Sequence, residues 1–143
     1  MESSIRININ AKLLIADFSE KSGISMCSVA KILLQKVDMK FKTTPSTPGL
    51  IKYQIDQPEY NWDVLHYRLS QCEKEQFEGM RIKYKLSISF LVLIGIFLFL
   101  DELIKEFFGE IQNIEKICYN YPALINLKIL YRNSCWILRE TIP

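Results

Sequence analysis

A chain of 143 residues has room for one domain or two very small ones, which excludes a large multidomain enzyme. Hydrophobic residues make up 49% and charged residues 24%, enough apolar surface for a core and too balanced a composition for intrinsic disorder. With 18 Lys and Arg against 16 Asp and Glu, the formal charge of +2 is too small to direct the whole molecule to nucleic acid or an anionic membrane, so any electrostatic attraction must be local.

At the amino terminus, MESSIRININAKLLIADF carries Glu2 and no basic region ahead of an apolar run, so no signal peptide is expected. Ile5, Arg6 and Ile7 alternate as a minimal strand, and Asn8 or Asn10 is placed to cap a helix whose inner face is Ala11, Ile15, Phe18 and Ser22. Gly23, Ile24 and Ser25 make a turn, and a second helix carries Val29, Ile32, Leu33 and Val37. This first unit occupies residues 1–41. The stretch 42–62, KTTPSTPGLIKYQIDQPEYNW, holds Pro45, Pro48 and Pro58 and cannot form a continuous helix, so it reads as a linker with a short extended piece at Ile51 to Ile55.

The second unit, residues 63–108, opens on VLHYRL, with Leu65, Tyr67 and Leu69 on one side and Val64, His66 and Arg68 on the other, the alternation of a strand with one buried face. Ser70 with Glu73 three residues on is a capping box, and Phe77, Met80 and Tyr84 continue as an amphipathic helix to about Lys85. Leu86 to Ser89 form a turn with Ser87 or Ser89 as the next cap, and a second helix runs from Phe90 to about Phe108. The run Leu86 to Leu100, LSISFLVLIGIFLFL, falls short of the roughly 20 apolar residues needed to span a bilayer. It is nonetheless apolar all round, so something must cover its outer side: the tail, another chain or lipid. The remaining residues, 109–143, mix helical and strand signals around Pro122 and are expected to cover the core or dock a partner.

Residues 5–41 lie on residues 67–103 at a constant offset of 62 without a gap, matching Arg6 to Arg68, Asn8 to Ser70 and Ser25 to Ser87. A short strand followed by two helices cannot satisfy its backbone or bury a core alone, so the two units are expected to pair. At this point LHYRLSQCEKEQFEGMRIKYKLSISFLVLIGIFLFLDEL, from Leu65 to Leu103, resembles the ribbon-helix-helix DNA-binding family of the methionine and Arc repressors, with RLS at the strand end and LSIS between the helices. The resemblance implies a mainly α fold with a short two-stranded antiparallel ribbon, built from tandem modules that close on each other as an intrachain pseudo-dimer, plus a C-terminal extension. It also implies a ribbon in the major groove, with Glu2, Ser4, Arg6, Val64, His66 and Arg68 facing bases and Ser25 and Ser87 near phosphates. A monomer reading an imperfect palindrome follows, because Ser4 and Arg6 cannot read the same bases as His66 and Arg68.

The chemistry-bearing residues exclude little else to consider. His66 is the only histidine, and no serine, cysteine or acid stands at a spacing that makes it a triad member. No GxGxxG, P-loop or HExxH is present, and Cys27, Cys72, Cys118 and Cys135 contain no CxxC pair, so the expectation is no enzyme, no cofactor, no metal and reduced thiols in the cytoplasm. The leading reading is a sequence-specific transcriptional regulator with DNA as its partner. One alternative is an antitoxin-type module that binds a protein through the extension, where Tyr119, Tyr121, Tyr131 and Trp136 are the aromatics that interfaces favour. A second is a small membrane-anchored protein held by Ser87 to Leu100, which requires the helix to extend past Asp101 and Glu102, each costly in lipid.

Overall fold

Capping residues divide the chain into its elements, because each helix begins where a short polar side chain can accept from the first unsatisfied backbone N–H groups. In the computed structural model, which describes residues 2–51 and 61–108, the order is β1 (Glu2–Asn8), α1 (Ile9–Ser22), α2 (Met26–Lys40), β2 (Trp62–Arg68), α3 (Gln71–Tyr84) and α4 (Ile88–Phe108). Asn8 caps α1 by accepting from the Asn10 N–H at 2.9 Å, and Ser25 caps α2 by accepting from Ser28 N–H at 3.2 Å. The Ser70 and Glu73 capping box closes at the head of α3: Ser70 Oγ accepts from Glu73 N–H at 3.1 Å and Glu73 accepts from Ser70 N–H at 2.9 Å. Ser87, not Ser89, serves α4 by accepting from Phe90 N–H at 3.2 Å, so that helix begins two residues before Phe90.

The two strands form an antiparallel ribbon within the chain, in a register that sets Ser4 opposite His66, Arg6 opposite Val64, Ile5 opposite Leu65 and Asn8 opposite Trp62. β1 exceeds what side-chain alternation predicts, and β2 is shifted towards its start, ending at Arg68 and leaving Leu69 beyond the strand. Cross-strand pairing carries β1 out to Glu2 and back to Asn8, whereas Ile5 to Ile7 alone carries the apolar signal. β2 likewise starts at Trp62, so the proline-rich connection ends at Asn61, whose carbonyl accepts from Ile9 N–H at 2.9 Å. Of the extended piece expected at Ile51 to Ile55, all but Ile51 lies outside the described residues, as does everything expected of 109–143.

An offset of 62 residues aligns the helix starts, although it sets β1 two residues beyond β2. It carries α1 onto α3 end to end and the start of α2 onto the start of α4. It also carries Gly23, in the left-handed conformation at φ 77°, onto Lys85, in the same conformation at φ 56°. Glycine adopts that conformation freely, whereas lysine is held there against a steric penalty of about 1 kcal/mol, so the turn geometry is imposed by the elements it joins. Their inner faces meet in one core: Leu14, Ile15 and Phe18 of α1, Val29 and Leu33 of α2, Phe77 and Met80 of α3, and Phe90 to Ile94 of α4 are buried in a single cluster. α4 packs chiefly against α2, at a point where Gly95 lets the helices close on Leu33. Leu98 and Phe107 stay partly open at 39% and 45% exposure. Among the described residues no helix is long and apolar enough to cross a membrane. The run on which the anchor reading rests is packed inside the protein from Phe90 to Ile94.

Polar contacts join the halves around this core. Lys31 pairs with Glu73 at 3.2 Å, Lys36 with Glu106 at 3.0 Å and Glu102 at 3.5 Å, and Gln76 donates to Asp38 at 3.1 Å. The Ser70 backbone N–H, and then Lys31, hold the Glu73 carboxyl below its ordinary range, while the Glu106 hydrogen bond raises the Lys36 ammonium. Tyr84 is buried, and its hydroxyl donates to the Phe41 carbonyl at 3.2 Å and lies 3.4 Å from Asp38. Burial, with Asp38 adding to it, pushes this phenol up to about 12. Between the ordinary value of 10.0 and about 12 the folded protein retains a proton that the unfolded chain has lost, so stability falls as pH rises through that window. Tyr84→Phe is expected to lower the urea midpoint at pH 8, through a lost hydrogen bond worth about 1 kcal/mol, and to flatten the decline above pH 10. Unchanged slopes in urea titrations from pH 9 to 12 would show that the alkaline loss arises elsewhere.

Candidate nucleic-acid interface

A two-stranded ribbon with one face on a core presents every second side chain to solvent. On the inner face Ile7 and Leu65 are buried and Ile5 and Tyr67 partly so. On the outer face Ser4, Arg6, Val64, His66 and Arg68 are all exposed, and Arg6 and Arg68 sit at register levels four residues apart, about 13 Å along the ribbon. Ser4 and His66 form the middle pair between them, and Glu2 is the cross-strand partner of Arg68. The register therefore brings the expected outer-face positions of β1 and β2 onto one surface.

Ser25 and Ser87 differ. Ser25 is exposed at the head of α2, where a second ligand could reach the N–H groups of the first turn, whereas Ser87 is 8% exposed at the head of α4. A stretch of sequence that matches at both places hides this, because burial depends on what packs over each turn.

Two contributors to the site escape the alternation pattern as read from Val64 onward. Trp62, two residues earlier on the same side of β2, places its ring 5.2 Å from the Arg6 guanidinium. Extending the period-two pattern back by one step would have reached it, had the nearby Pro58 not marked the region as linker. Cys27 in the first turn of α2 is the other: its Sγ accepts from Arg68 N–H at 3.4 Å and lies 3.8 Å from the Arg68 carbonyl, tying the ribbon end to α2. Nothing in the sequence pairs these residues. At the opposite end Asp63 bonds Lys12 at 2.9 Å and its own neighbour Val64 N–H at 2.7 Å, and these two donors, Lys12 first, hold its carboxyl below the usual range.

The arrangement offers two guanidinium groups, an imidazole and a hydroxyl on one exposed face of the ribbon, with an aromatic ring at one end. Such a surface can donate hydrogen bonds to the acceptor edges of bases. Among the described residues no group of three His, Cys, Asp or Glu side chains is placed to hold a metal ion. No protein-family model matches the chain, and neither curated proteins nor solved structures give a significant match.

Proposed function

We propose that the chain binds duplex DNA by inserting the outer face of the β1–β2 ribbon into the major groove, as a regulator made of two ribbon-helix-helix modules paired within one monomer. The observation that carries this reading is the exposed face of Ser4, Arg6, Val64, His66 and Arg68, with its two arginines at positions related by the 62-residue offset. A two-stranded ribbon fits the major groove, and a guanidinium donates two hydrogen bonds to guanine O6 and N7.

The pairing of modules draws support from residues that meet their own counterparts. Under an approximate twofold, only residues on the axis can touch the position 62 residues away from themselves. Ser4 is the cross-strand partner of His66, and Leu33 lies against Gly95, so one line through the ribbon and the α2–α4 crossing satisfies both. Arg6 and Arg68 fall on either side of that line. Their half-sites are alike in guanidinium chemistry and unlike in neighbours, Val64 across from one and Glu2 across from the other, which favours an imperfect palindrome.

The test is selection of duplexes from a random library, followed by titration of the selected site at increasing salt. Phosphate contacts make affinity fall steeply with salt. The absence of any salt-dependent duplex binding would sink the reading. The helix heads add a sharper expectation. Ser25→Asp keeps a good N-cap and adds a negative charge where a phosphate would sit, so affinity should fall about tenfold for all sequences with the thermal midpoint unchanged. Ser87→Ala, at the covered head, should instead lower stability by about 1 kcal/mol and leave the affinity of the folded protein unaltered. The expected protein partner for the extension concerns residues outside those described.

A further inference from the structure

Two paired identical chains place the same residue on both sides of their twofold axis. Here both strands of the ribbon belong to one chain, and the residues at the axis differ. The offset of 62 carries Ser4 onto His66, and these two are cross-strand partners, so they stand side by side where the approximate axis leaves the ribbon. Both are exposed on the outer face, and the Cβ atoms of such partners lie about 5 Å apart. Arg6 and Val64 stand two residues to one side, about 7 Å along the strands, and Arg68 two residues to the other. Across the axis, then, Arg6 and Arg68 bring the same guanidinium to both sides. Ser4 brings a short hydroxyl and His66 a longer imidazole with two ring nitrogens.

We propose that the Ser4–His66 pair reads the central base pairs of the DNA site and fixes the direction in which the chain lies on it, so that Arg6 always meets one half-site and Arg68 the other. This rests on the DNA-binding reading. With like arginines on both sides, a near-palindromic duplex offers each of them a suitable half in either direction. Turning the chain round exchanges hydroxyl and imidazole over the central bases, and the contacts that suit one direction are lost in the other. One hydrogen bond lost in this way corresponds to about a fivefold drop in affinity.

The experiment uses the full chain and a duplex selected by the wild type, with single replacements at the central base pairs and at the contacted guanine of each half. Wild type should lose about fivefold or more in affinity when the central base pairs are replaced, and His66→Ser should remove that loss while leaving the cost of replacing either guanine unchanged. Arg6→Ala should become indifferent to the guanine of one half only, and Arg68→Ala to that of the other, which assigns each arginine to its half. In the background of Ser4→His with His66→Ser, the same arginine variants should exchange their halves on the same duplex. Assignments that do not exchange, or arginine variants equally indifferent to both halves, overturn the proposal while leaving DNA binding standing. So does a wild type indifferent to the central base pairs, an outcome read without any variant and therefore safe from misfolding of the double exchange. Wild type that binds no duplex overturns the DNA reading and this inference together.

Discussion

Replacing Arg6 and Arg68 together by Ala is expected to bring binding to a selected site down to the level of binding to scrambled DNA, while the protein stays folded. Both side chains are exposed on the outer face of the ribbon, so neither truncation opens a cavity in the core formed by Ile7, Leu65 and the helices. Each two-pronged contact to guanine is worth about 1 to 3 kcal/mol of discrimination, and the two arginines stand at register levels four residues apart, far enough for their contributions to add to about 2 to 6 kcal/mol. Competition titrations of selected against scrambled duplex measure the difference, and far-UV circular dichroism checks the fold. A preference unchanged by the double replacement would move sequence reading off the ribbon.

Gly95→Val should lower the free energy of unfolding by about 3 kcal/mol, out of a total that for a domain of this size is on the order of 5 to 15 kcal/mol. A Cβ at Gly95 would stand 3.0 Å from Leu33 Cβ and 3.2 Å from the Leu33 carbonyl oxygen, closer than ordinary contacts, and the second of these is backbone that cannot swing aside. Helix propensity pulls the other way. Replacing a helical Gly by Ala gains about 1 kcal/mol, but separating α2 from α4 loosens a crossing lined by residues buried on both helices. Gly95→Ala is therefore expected to be mildly destabilising and Gly95→Val strongly so, since valine adds two methyl groups in the same gap. Urea unfolding of both variants gives the comparison. An unmoved midpoint for valine would mean that the helices do not close at this point. Because the α2–α4 crossing holds the halves together beneath the ribbon, a folded valine variant should also bind the selected duplex less tightly.

How much of this was readable along the chain follows from the range of each interaction. The capping box at Ser70 and Glu73, the cap offered at Asn8 or Asn10, the turn at Gly23 to Ser25 and the alternation that begins at Val64 are local, set within a few residues by hydrogen bonding and sterics, and the chain declares them directly. The offset that carries α1 onto α3 is likewise visible, because elements of equal length follow one another in equal order. What tertiary structure decided is non-local. Strand alternation says which side of β2 faces the core but not which residue it meets; the pairing of Ser4 with His66 results from packing both inner faces on one core at once. The place of Trp62 over Arg6 depends on that register, and the contact of Cys27 with Arg68 depends on where α2 runs beneath the ribbon. Ser25 and Ser87 occupy matching positions in the sequence and differ in burial because only the surrounding helices determine what covers a turn. Gly95 is the same case in the core: a glycine inside an apolar helix is locally unfavourable, and its reason appears only when Leu33 is brought against it.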